Sequence, residues 1–480
     1  MNQVSTQKRC PGLVISALRG GSGKTIFSIG IIAALRNRGV CVAPFKKGPD
    51  YIDAGWLALA AGRPCYNLDT FLIDPHIISE SYLKHSLDVD FSLIEGNRGL
   101  YDCIDTDGLT STAELAKLLD LPIVLALDAT KTTRTLAAVV GGCLQFDPEA
   151  RIKGVVLNQV AGARHEKITR DCIEQYCGIP VLGAVPKLKK QSFPERHMGL
   201  VPTYEHQWAH DAVGAIAELA EKYLDLQSIT AMAHLDLKTG SSGSGFTAAP
   251  RMEGPPAAAA SVTSLSKPRI GVIHDSAFQF YYPENIDALV QAGARVVITS
   301  PLHEDSLPQV DALYIGGGFP ETHAARLARN IPYNEQIRLL AARGLPIYAE
   351  CGGLMYLGRE LLLEDGAFAM CGVLPVTFGF AKRPQGHGYT IFHVTRDNPF
   401  FSTGQIIRGH EFHYSTVQAC DADPSQMVFE MQRGNGLKAG RDGLCVGNVL
   451  ATYTHIHALG TPQWAPALVA QARRFQHTAL

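Results

Sequence analysis

The sequence lacks the features that mark membrane, secreted and nucleic-acid-binding proteins. It has no apolar run of about 18 residues, and residues 1–9 are polar, so we expect neither a membrane span nor a secretory signal. Its 11 cysteines form no Cys-x-x-Cys pair, which is typical of reduced thiols and offers no metal site. The formal net charge is only −2, so we expect no nucleic-acid partner. These absences together predict a cytoplasmic protein.

What the chain does contain is enough apolar sequence for more than one core. It has 480 residues, of which 46% are hydrophobic and 18% are charged, whereas a single core seldom extends beyond about 250–300 residues. Residues 240–245 are glycine and serine, and residues 254–260 are glycine, proline and alanine, a composition typical of a flexible linker. We therefore predict an N-terminal domain at 1–226, a linker at 227–267 and a C-terminal domain at 268–480.

Both halves alternate apolar runs with helical patterns, which predicts an α/β fold with two doubly wound, mostly parallel sheets. In the first half the runs are Leu13–Ile15, Val40–Phe45, Phe91–Ile94, Ile123–Leu127, Val155–Leu157 and Val181–Val185. In the second half they are Ile270–Ile273, Val296–Ile298, Ala312–Ile315, Pro346–Ala349 and Val446–Tyr453. Because open α/β sheets bind ligands at the carboxyl ends of their strands, polar residues after these runs are candidates for binding and catalysis.

A glycine-rich turn follows the first predicted strand. Its glycines are Gly20, Gly21 and Gly23. Lys24 and Thr25 come next and open a run of helix formers that ends at Leu35. In such a loop the backbone N–H groups converge on phosphate oxygens, the lysine reaches the β- and γ-phosphates, and the threonine binds Mg²⁺. This stretch therefore predicts a site for ATP and Mg²⁺.

The loop departs from the most common pattern at two positions. Leu18 stands where that pattern has glycine, and Arg19 stands where a compact variant of the loop has lysine. The compact variant resembles the MinD/ParA and dethiobiotin synthetase groups of nucleotide-binding proteins. A switch ATPase of the MinD/ParA type is therefore an alternative to a synthetase.

Charged residues follow the second and third predicted strands. Lys46 and Lys47 precede Asp50, and Glu95 closes the third strand. The lysines suit phosphates or a substrate carboxylate, whereas Asp50 and Glu95 suit Mg²⁺ held jointly with Thr25. A solvated turn is the alternative for the first of these two stretches.

The second half carries the pattern of a cysteine hydrolase. Gly317 and Gly318 follow a predicted strand, where bare backbone N–H groups can stabilise an oxyanion. Cys351 lies between a predicted strand and a helix and is followed by two glycines, which resembles a nucleophile elbow with cysteine in the serine position. We expect the N-terminus of that helix to lower the pKa of the thiol.

A cysteine nucleophile needs a base, and the sequence offers several histidines downstream of it. The candidates are His387, His410, His413, His455 and His457. Only the last two follow a strand-like segment near the end of the domain. The residues by themselves leave the choice open.

Taken together, these stretches resemble the cobyrinic acid a,c-diamide synthase family over nearly the whole chain except the linker. Besides the phosphate loop, the matching stretches are 44–46, 48–53, 95–96, 111–115, 349–353, 409–415 and 452–455. The resemblance implies a P-loop NTPase-like ATP domain, similar to dethiobiotin synthetase, and a class I glutamine amidotransferase domain. The implied activity is ATP-dependent amidation of the a- and c-acetates of cobyrinate through an acyl phosphate, with ammonia from L-glutamine, in cobalamin biosynthesis.

The resemblance also implies roles for individual residues. Cys351 would be the glutaminase nucleophile and His455 its base. Asn158 would contact adenine, whereas Tyr51 and Asp102 would line the site for the tetrapyrrole carboxylates. The residues that fall on nucleotide and Mg²⁺ positions are Lys24, Thr25, Asp50 and Glu95. Whether the chain forms a homodimer is left open.

Three departures from the family flank the expected substrate site. Lys47 and the pair Asn97–Arg98 replace residues that we expect to be apolar, and Trp56 stands near a position that is often histidine. Lys47 and Arg98 add positive charge where a polycarboxylate is expected to bind. A sirohydrochlorin-type macrocycle, such as nickel-sirohydrochlorin or sirohaem, therefore remains an alternative substrate.

Overall fold

The computed structural model describes residues 10–187, 207–239 and 266–478, and the N-terminal part of these forms a parallel sheet of seven strands. Its strands are β1 (Gly12–Ala17), β2 (Val42–Lys47), β3 (Tyr66–Leu68), β4 (Phe91–Glu95), β5 (Ile123–Asp128), β6 (Ile152–Val160) and β7 (Val181–Pro186). They are ordered β3-β2-β4-β1-β5-β6-β7. From β1 the chain first adds β2, β3 and β4 on one side of the sheet and then adds β5, β6 and β7 on the other side. The loop after β1 opens at this switch point, where α/β folds bind their ligands.

Helices cover both faces of this sheet. They are α1 (Lys24–Asn37), α2 (Tyr51–Ala61), α3 (Pro75–His85), α4 (Thr112–Leu118), α5 (Arg134–Phe146), α6 (Ala163–Cys177), α7 (Gln207–Tyr223) and α8 (Leu226–Thr239). One core joins Phe27 of α1, Trp56 of α2 and Ile216 of α7. The other joins Tyr82 of α3 and Leu115 of α4. Burial on two faces explains why the strands are continuous apolar runs without alternation.

The predicted linker begins inside this domain. Residues 227–239 belong to α8, whose Ile229 and Ala233 are buried in the same core as Phe27. The glycine/serine and proline/alanine runs of the predicted linker lie outside the described residues. We therefore propose that the N-terminal domain extends to Thr239, beyond the predicted boundary at 226.

A nine-stranded mixed sheet forms the centre of the C-terminal domain. Its strands, in spatial order, are β10 (Arg295–Thr299), β8 (Arg269–Ile273), β11 (Ala312–Ile315), β13 (Ile347–Glu350), β22 (Val449–Thr452), β21 (Arg441–Val446), β20 (Met427–Arg433), β17 (Gly386–Val394) and β18 (Ile406–His413). The first five are parallel, and the rest continue antiparallel. The parallel part places the loops after β11 and β13 side by side, because β11 pairs with β13.

Smaller elements complete this domain. A short pair contains β9 (Phe278–Phe280) and β12 (Gly317–Gly318), and a four-stranded sheet contains β14 (Glu360–Leu363), β15 (Gly366–Ala369), β16 (Val376–Phe380) and β19 (Ser415–Cys420). The helices are α9 (Pro283–Gln291), α10 (Ala324–Arg329), α11 (Ile331–Ala342), α12 (Gly352–Leu357) and α13 (Trp464–Thr478), with 3₁₀ turns at Pro320–His323 and Pro424–Gln426.

The α/β prediction is confirmed for both halves, with one difference in the second. That sheet is mixed and not mostly parallel, because β21, β20, β17 and β18 extend it antiparallel. The predicted strand Val446–Tyr453 is in fact the end of β21, a turn at Gly447 with φ +59°, and β22. No helix in the described ranges is long and apolar enough to cross a membrane.

The two domains meet in a buried interface. The hydroxyl of Tyr389 donates to Oδ2 of Asp69 at 2.8 Å, and the ring of Tyr389 packs on Phe71 with centroids 4.4 Å apart. Backbone also meets backbone, since a Cβ atom at Gly460 would collide with the carbonyl oxygen of Leu72. Contacts of this kind fix the loops at the carboxyl end of the first sheet relative to the loops at the carboxyl end of the second sheet.

Candidate active site

The phosphate loop connects β1 to α1 and is open beside its first glycines. Gly21 and Gly23 have φ angles of +75° and +99°, which glycine adopts without strain. A Cβ atom at Gly23 would lie 2.5 Å from Nδ2 of Asn158, whereas Cβ atoms at Gly20 and Gly21 would meet nothing within 4 Å. The loop therefore leaves space for phosphate oxygens, to which the N-terminus of α1 presents its positive dipole.

Lys24 opens α1 and folds its side chain back over the loop. Its Nζ lies 2.7 Å from the carbonyl oxygen of Arg98 and 3.4 Å from that of Arg19. Burial lowers the pKa of Lys24, and the charge of Lys46 lowers it further. Among the described residues Lys24 forms no ion pair, so a phosphate would supply the counter-charge that this buried ammonium lacks.

A buried cluster of charges lies beside the loop. Nζ of Lys46 is 2.9 Å from both Oε1 of Glu95 and Oδ2 of Asp53. The hydroxyl of Thr25 donates to Oε1 of Glu95 at 2.8 Å. Oε2 of Glu95 is buried and has no hydrogen-bond partner among the residues that the structure describes. Burial raises the pKa of Glu95 to about 7, although Lys46 opposes that shift. The unpartnered Oε2 is suited to a cation.

Asp50 caps the N-terminus of α2. Its Oδ1 accepts the backbone N–H of Asp53 at 2.8 Å, and burial raises its pKa. The described residues contain no group of three or more histidine, cysteine, aspartate or glutamate side chains arranged for a metal ion. The donors present are the Thr25 hydroxyl and the carboxylates of Asp50 and Glu95. Such a set fits Mg²⁺ that is held partly by phosphate oxygens, and not one enclosed by protein.

Lys47 is buried although no carboxylate pairs with it. The residue is 4% exposed, and its ammonium has no hydrogen bond or ion pair within the described part of the chain. Burial lowers its pKa, whereas the charge of Asp69 acts in the opposite direction. Both oxygens of Asp69 are already occupied, Oδ1 by the N–H groups of Phe71 and Leu72 and Oδ2 by Tyr389. An unpaired ammonium at the carboxyl end of β2 is suited to an anionic ligand.

Arg98 and Asp102 lie on the exposed loop after β4. The charge of Arg98 contributes to the lowered pKa of Lys47. Arg98 has a φ angle of +49°, and Oδ2 of Asp102 accepts the N–H of Gly99 at 2.8 Å. Asp102 therefore fixes the turn that follows Arg98.

Cys351 lies at the turn between β13 and α12. Its φ and ψ angles are 46° and −98°, an uncommon conformation for a non-glycine residue and one that nucleophile elbows share. A Cβ atom at Gly353 would lie 2.5 Å from the carbonyl oxygen of Ile315, and one at Gly352 would lie 2.9 Å from the N atom of Gly318. The two glycines after the cysteine thus let the turn pack directly on the end of β11 and on β12.

The surroundings of Cys351 favour the neutral thiol. Burial raises its pKa far above the usual range and the charge of Glu321 raises it further, while the N–H of Gly352 acts in the opposite direction. The expectation of a lowered pKa is therefore wrong. Cys351 is only 5% exposed, so desolvation destabilises a thiolate there. This destabilisation is larger than the stabilisation that the N-terminus of a six-residue helix provides. A base is consequently required to ionise this thiol.

His455 lies between the glycine strand β12 and a buried carboxylate. A Cβ atom at Gly317 would clash with Cε1 of His455 and lie 3.1 Å from its Nε2. Nδ1 lies 3.4 Å from Oε2 of Glu350, which is fully buried. Oε1 of Glu350 accepts the backbone N–H of Ile456 at 3.1 Å and the hydroxyl of Tyr348 at 3.2 Å. One ring nitrogen thus faces a fixed carboxylate and the other faces the strand beside the nucleophile, as a base and its orienting group require.

The other histidines have different surroundings. His387 is exposed, and Nδ1 of His413 lies 3.1 Å from a backbone carbonyl oxygen. Nε2 of His457 lies 3.6 Å from a glutamate of the domain interface. His410 stacks on His455 with ring centroids 4.9 Å apart. The geometry therefore favours His455 over the other candidates.

The structure brings most of the predicted site residues together in two groups. The first contains Gly20, Gly21, Gly23, Lys24, Thr25, Asp50, Glu95 and Asn158. Nδ2 of Asn158 donates to the carbonyl oxygen of Ser22 in the loop at 3.1 Å. The second contains Gly317, Gly318, Cys351 and His455. Lys47 and Asp102 lie at the carboxyl edge of the first sheet. Tyr51, expected beside Asp102, has its ring 5.4 Å from that of His455.

Sequence reasoning missed the role of Glu350 and the ion pairs that Lys46 forms with Glu95 and Asp53. Glu350 immediately precedes the nucleophile and closes an apolar strand, which was a usable signal for a functional carboxylate. Asp53 belongs to the charged stretch after the second predicted strand, but its pairing with Lys46 depends on the start of α2, which turns it toward that lysine.

A phosphate loop on one sheet and a cysteine elbow on another define a glutamine-hydrolysing amide synthase with a nucleotide-binding domain. Two family models match in the corresponding places. The CobQ/CobB/MinD/ParA nucleotide binding domain matches residues 13–201. The CobB/CobQ-like glutamine amidotransferase domain matches residues 269–463.

Full-length relatives narrow this class to one family. Over 464 residues the chain is 42% identical to a cobyrinate a,c-diamide synthase of Magnetococcus marinus. This alignment covers 96% of this chain and 97% of the relative. Proteins of the same name from Methanosarcina acetivorans and Archaeoglobus fulgidus are 37% and 38% identical, over 97% of this chain and 96% and 98% of theirs. The chain belongs to the cobyrinate a,c-diamide synthase family. The alternative of a MinD/ParA-like switch is therefore wrong.

Proposed function

We propose that the protein amidates the a- and c-acetate carboxylates of cobyrinate, using ATP, Mg²⁺ and ammonia released from glutamine. The observation that carries this proposal is that the two sites adjoin across the domain interface. Tyr51 follows Asp50 of the nucleotide site and packs beside His455 of the cysteine site. The names of the relatives support the choice of cobyrinate. All 11 cysteines are free, which supports a cytoplasmic location.

The C-terminal domain would release ammonia. His455 takes the proton of Cys351, and the sulfur attacks the side-chain amide carbon of glutamine. The backbone N–H groups of Gly317 and Gly318 stabilise the resulting oxyanion. Collapse of this intermediate breaks the C–N bond, and ammonia leaves with the proton returned by His455. Water then hydrolyses the thioester to glutamate and regenerates the thiol.

The N-terminal domain would activate the carboxylate and capture the ammonia. A carboxylate oxygen of the substrate attacks the γ-phosphorus of ATP, and ADP leaves. Lys24 and the loop N–H groups bind the phosphates. Thr25, Asp50 and Glu95 would hold Mg²⁺, which supplies charge neutralisation at the phosphates. Ammonia then attacks the acyl phosphate, phosphate leaves, and an amide is formed.

Replacing the base or its orienting carboxylate should slow glutamine hydrolysis. We expect His455→Ala to lower kcat for glutamate release by about 10²-fold or more, because the neutral buried thiol then has no proton acceptor. Glu350→Gln should lower kcat by less, since it removes the charge that stabilises the imidazolium but keeps an acceptor at Nδ1. Steady-state glutamate release measures both variants, with ammonia-dependent amidation as the internal control.

Two outcomes would contradict this assignment. A severe loss in His457→Ala together with a mild one in His455→Ala would place the base two residues later. Equal glutamate release by Glu350→Gln and the wild type across the pH range would remove Glu350 from the orientation of His455.

Lys47 and Arg98 should act on the tetrapyrrole and not on the nucleotide. We expect Lys47→Met with Arg98→Met to raise KM for cobyrinate by about tenfold or more, because each cation can pair with a carboxylate that is held but not amidated. KM for ATP should stay nearly constant. Lys167→Met, which removes an exposed lysine of α6, is the matched control. An unchanged KM for cobyrinate would show that these cations do not bind substrate.

The direct test of the proposed function is a substrate panel assayed with ATP, Mg²⁺ and glutamine. We expect conversion of cobyrinate to its diamide, with glutamate and ADP formed in step with each amide. Nickel-sirohydrochlorin and sirohaem are the comparison substrates. Preferential amidation of either one would overturn the choice of cobyrinate while leaving the amide synthase class intact.

A further inference from the structure

Tyr51 belongs to the N-terminal domain, but its ring lies in the glutaminase site. It stacks on Phe280 with centroids 5.3 Å apart and planes 6° apart. Its centroid is 4.5 Å from that of Tyr282, 5.4 Å from that of His455 and 5.5 Å from that of His410. Tyr51 therefore packs beside the base His455 from across the domain interface.

The three residues before Tyr51 are anchored through their carbonyl oxygens. Nδ2 of Asn67 donates to the oxygen of Gly48 at 2.8 Å and to that of Asp50 at 3.1 Å. The hydroxyl of Tyr282, in the C-terminal domain, donates to the oxygen of Pro49 at 3.2 Å. Residues 48–51 are thus held from both domains. Asp50 and Tyr51 are therefore neighbours in a short segment of which three carbonyl oxygens are hydrogen-bonded.

A second chain of contacts runs parallel to the first. The backbone N–H of Asn67 donates to Oε1 of Glu284 at 3.1 Å. The same carboxylate lies 3.6 Å from Nε2 of His457, two residues beyond His455. Asn67 therefore contacts both the loop that carries Asp50 and the carboxylate that borders the base segment.

The nucleotide end of the loop is where charge changes during the reaction. Asp50 is one of the carboxylates that fit Mg²⁺, and Lys46, four residues earlier, bridges Glu95 and Asp53. Binding of Mg²⁺ and phosphates next to these groups alters the forces on residues 48–51. Tyr51 contacts His455, so a shift of this loop on nucleotide binding would change the packing around the base, and such a difference between the free and bound states is the requirement for coupling between sites.

We propose that Tyr51 is a positioning residue for His455 and that, through residues 48–51, it makes glutamine hydrolysis depend on occupancy of the nucleotide site. The proposal rests on the roles proposed above for Cys351 and His455. Such coupling would confine ammonia release to the nucleotide-bound state, in which an acyl phosphate can form.

The test compares glutamate release with glutamine alone and with glutamine, ATP, Mg²⁺ and cobyrinate. In the wild type we expect the full mixture to stimulate release by about fivefold or more, within the usual range of coupling between sites. In Tyr51→Ala the stimulation should fall to less than about twofold, with more than one glutamate released per amide formed. Ammonia-dependent amidation, measured on the same variant, separates this loss from any effect of Tyr51 on tetrapyrrole binding. Tyr51→Phe should restore stimulation, because the contacts with His455 and Phe280 are made by the ring.

Two further variants separate coupling from general loosening of the interface. Tyr51→Leu keeps apolar bulk and serves if the alanine variant fails to fold. Tyr66→Ala removes another tyrosine of the same domain that reaches the C-terminal domain, where its hydroxyl lies 3.4 Å from Asp287. It should keep the wild-type stimulation. Full stimulation in folded Tyr51→Leu, or equal loss in Tyr66→Ala, would overturn the proposal. Absence of glutaminase activity in the wild type would instead overturn the proposed function.

Discussion

Cys351→Ala should abolish amidation with glutamine and leave amidation with ammonium salts intact. The loss with glutamine should be about 10³-fold or more, because no other group can form the thioester. The nitrogen of an ammonium salt bypasses that step and enters where the acyl phosphate is formed, at the carboxyl edge of the first sheet. Amide formation with each nitrogen source, measured on the same preparation, gives the comparison.

The matched control is Cys371→Ala. Cys371 is also a buried free thiol of the C-terminal domain, 3% exposed, but it lies next to Asn334 and not at the elbow. It should keep both activities. Loss of both activities in Cys351→Ala, in a protein that keeps its thermal unfolding temperature, would contradict the division of labour between the domains.

Lys24→Ala should remove amidation with either nitrogen source. The ammonium of Lys24 is buried, is held by two carbonyl oxygens and has no carboxylate partner in the described part of the chain, so the phosphates of ATP are the charge that it is placed to meet. Without it the transferring phosphoryl group loses a preorganised cation, and we expect a loss of about 10²–10³-fold in kcat. Ammonia cannot compensate, because the carboxylate is then never activated. ADP formation with cobyrinate and ammonium chloride measures the effect.

Lys222→Ala, which removes an exposed lysine near the end of α7, is the control for this variant and should behave as the wild type. Asp50→Asn should resemble Lys24→Ala if Asp50 holds Mg²⁺. Normal ammonia-dependent turnover in Lys24→Ala would remove that lysine from the phosphate site.

The sequence predicts well what depends on local pattern. The strand, glycine turn and helix around Lys24 recur in the structure, and so does the sharp turn at Cys351, because both are specified within about a dozen neighbouring residues. The antiparallel half of the second sheet was not predicted. Most of its pairings are between strands joined by short connections, but an apolar run alone does not reveal the direction of its neighbours.

Contacts between distant segments set the remaining features of the site. The orientation of Glu350 toward His455 joins the end of β13 to the segment after β22, about a hundred residues later, and the packing of Tyr51 on Phe280 joins two domains. The raised pKa of Cys351 has the same origin, since it reflects burial by the whole domain, which outweighs the local helix. Local sequence contains the expected effect of the helix dipole but not the competing cost of desolvation.

The close approach of Gly460 to Leu72 limits how this enzyme could be recombined with its relatives. The two halves look like exchangeable modules, because each has its own sheet and its own chemistry. At this point of the interface, however, the backbone of one domain contacts the backbone of the other. Any side chain at position 460 would collide with the carbonyl oxygen of Leu72 and push the domains apart. A hybrid made from two relatives must therefore keep glycine there and the same course of the chain at 72. This backbone contact, as well as the two catalytic sites, therefore restricts which N-terminal and C-terminal domains can be combined in one chain.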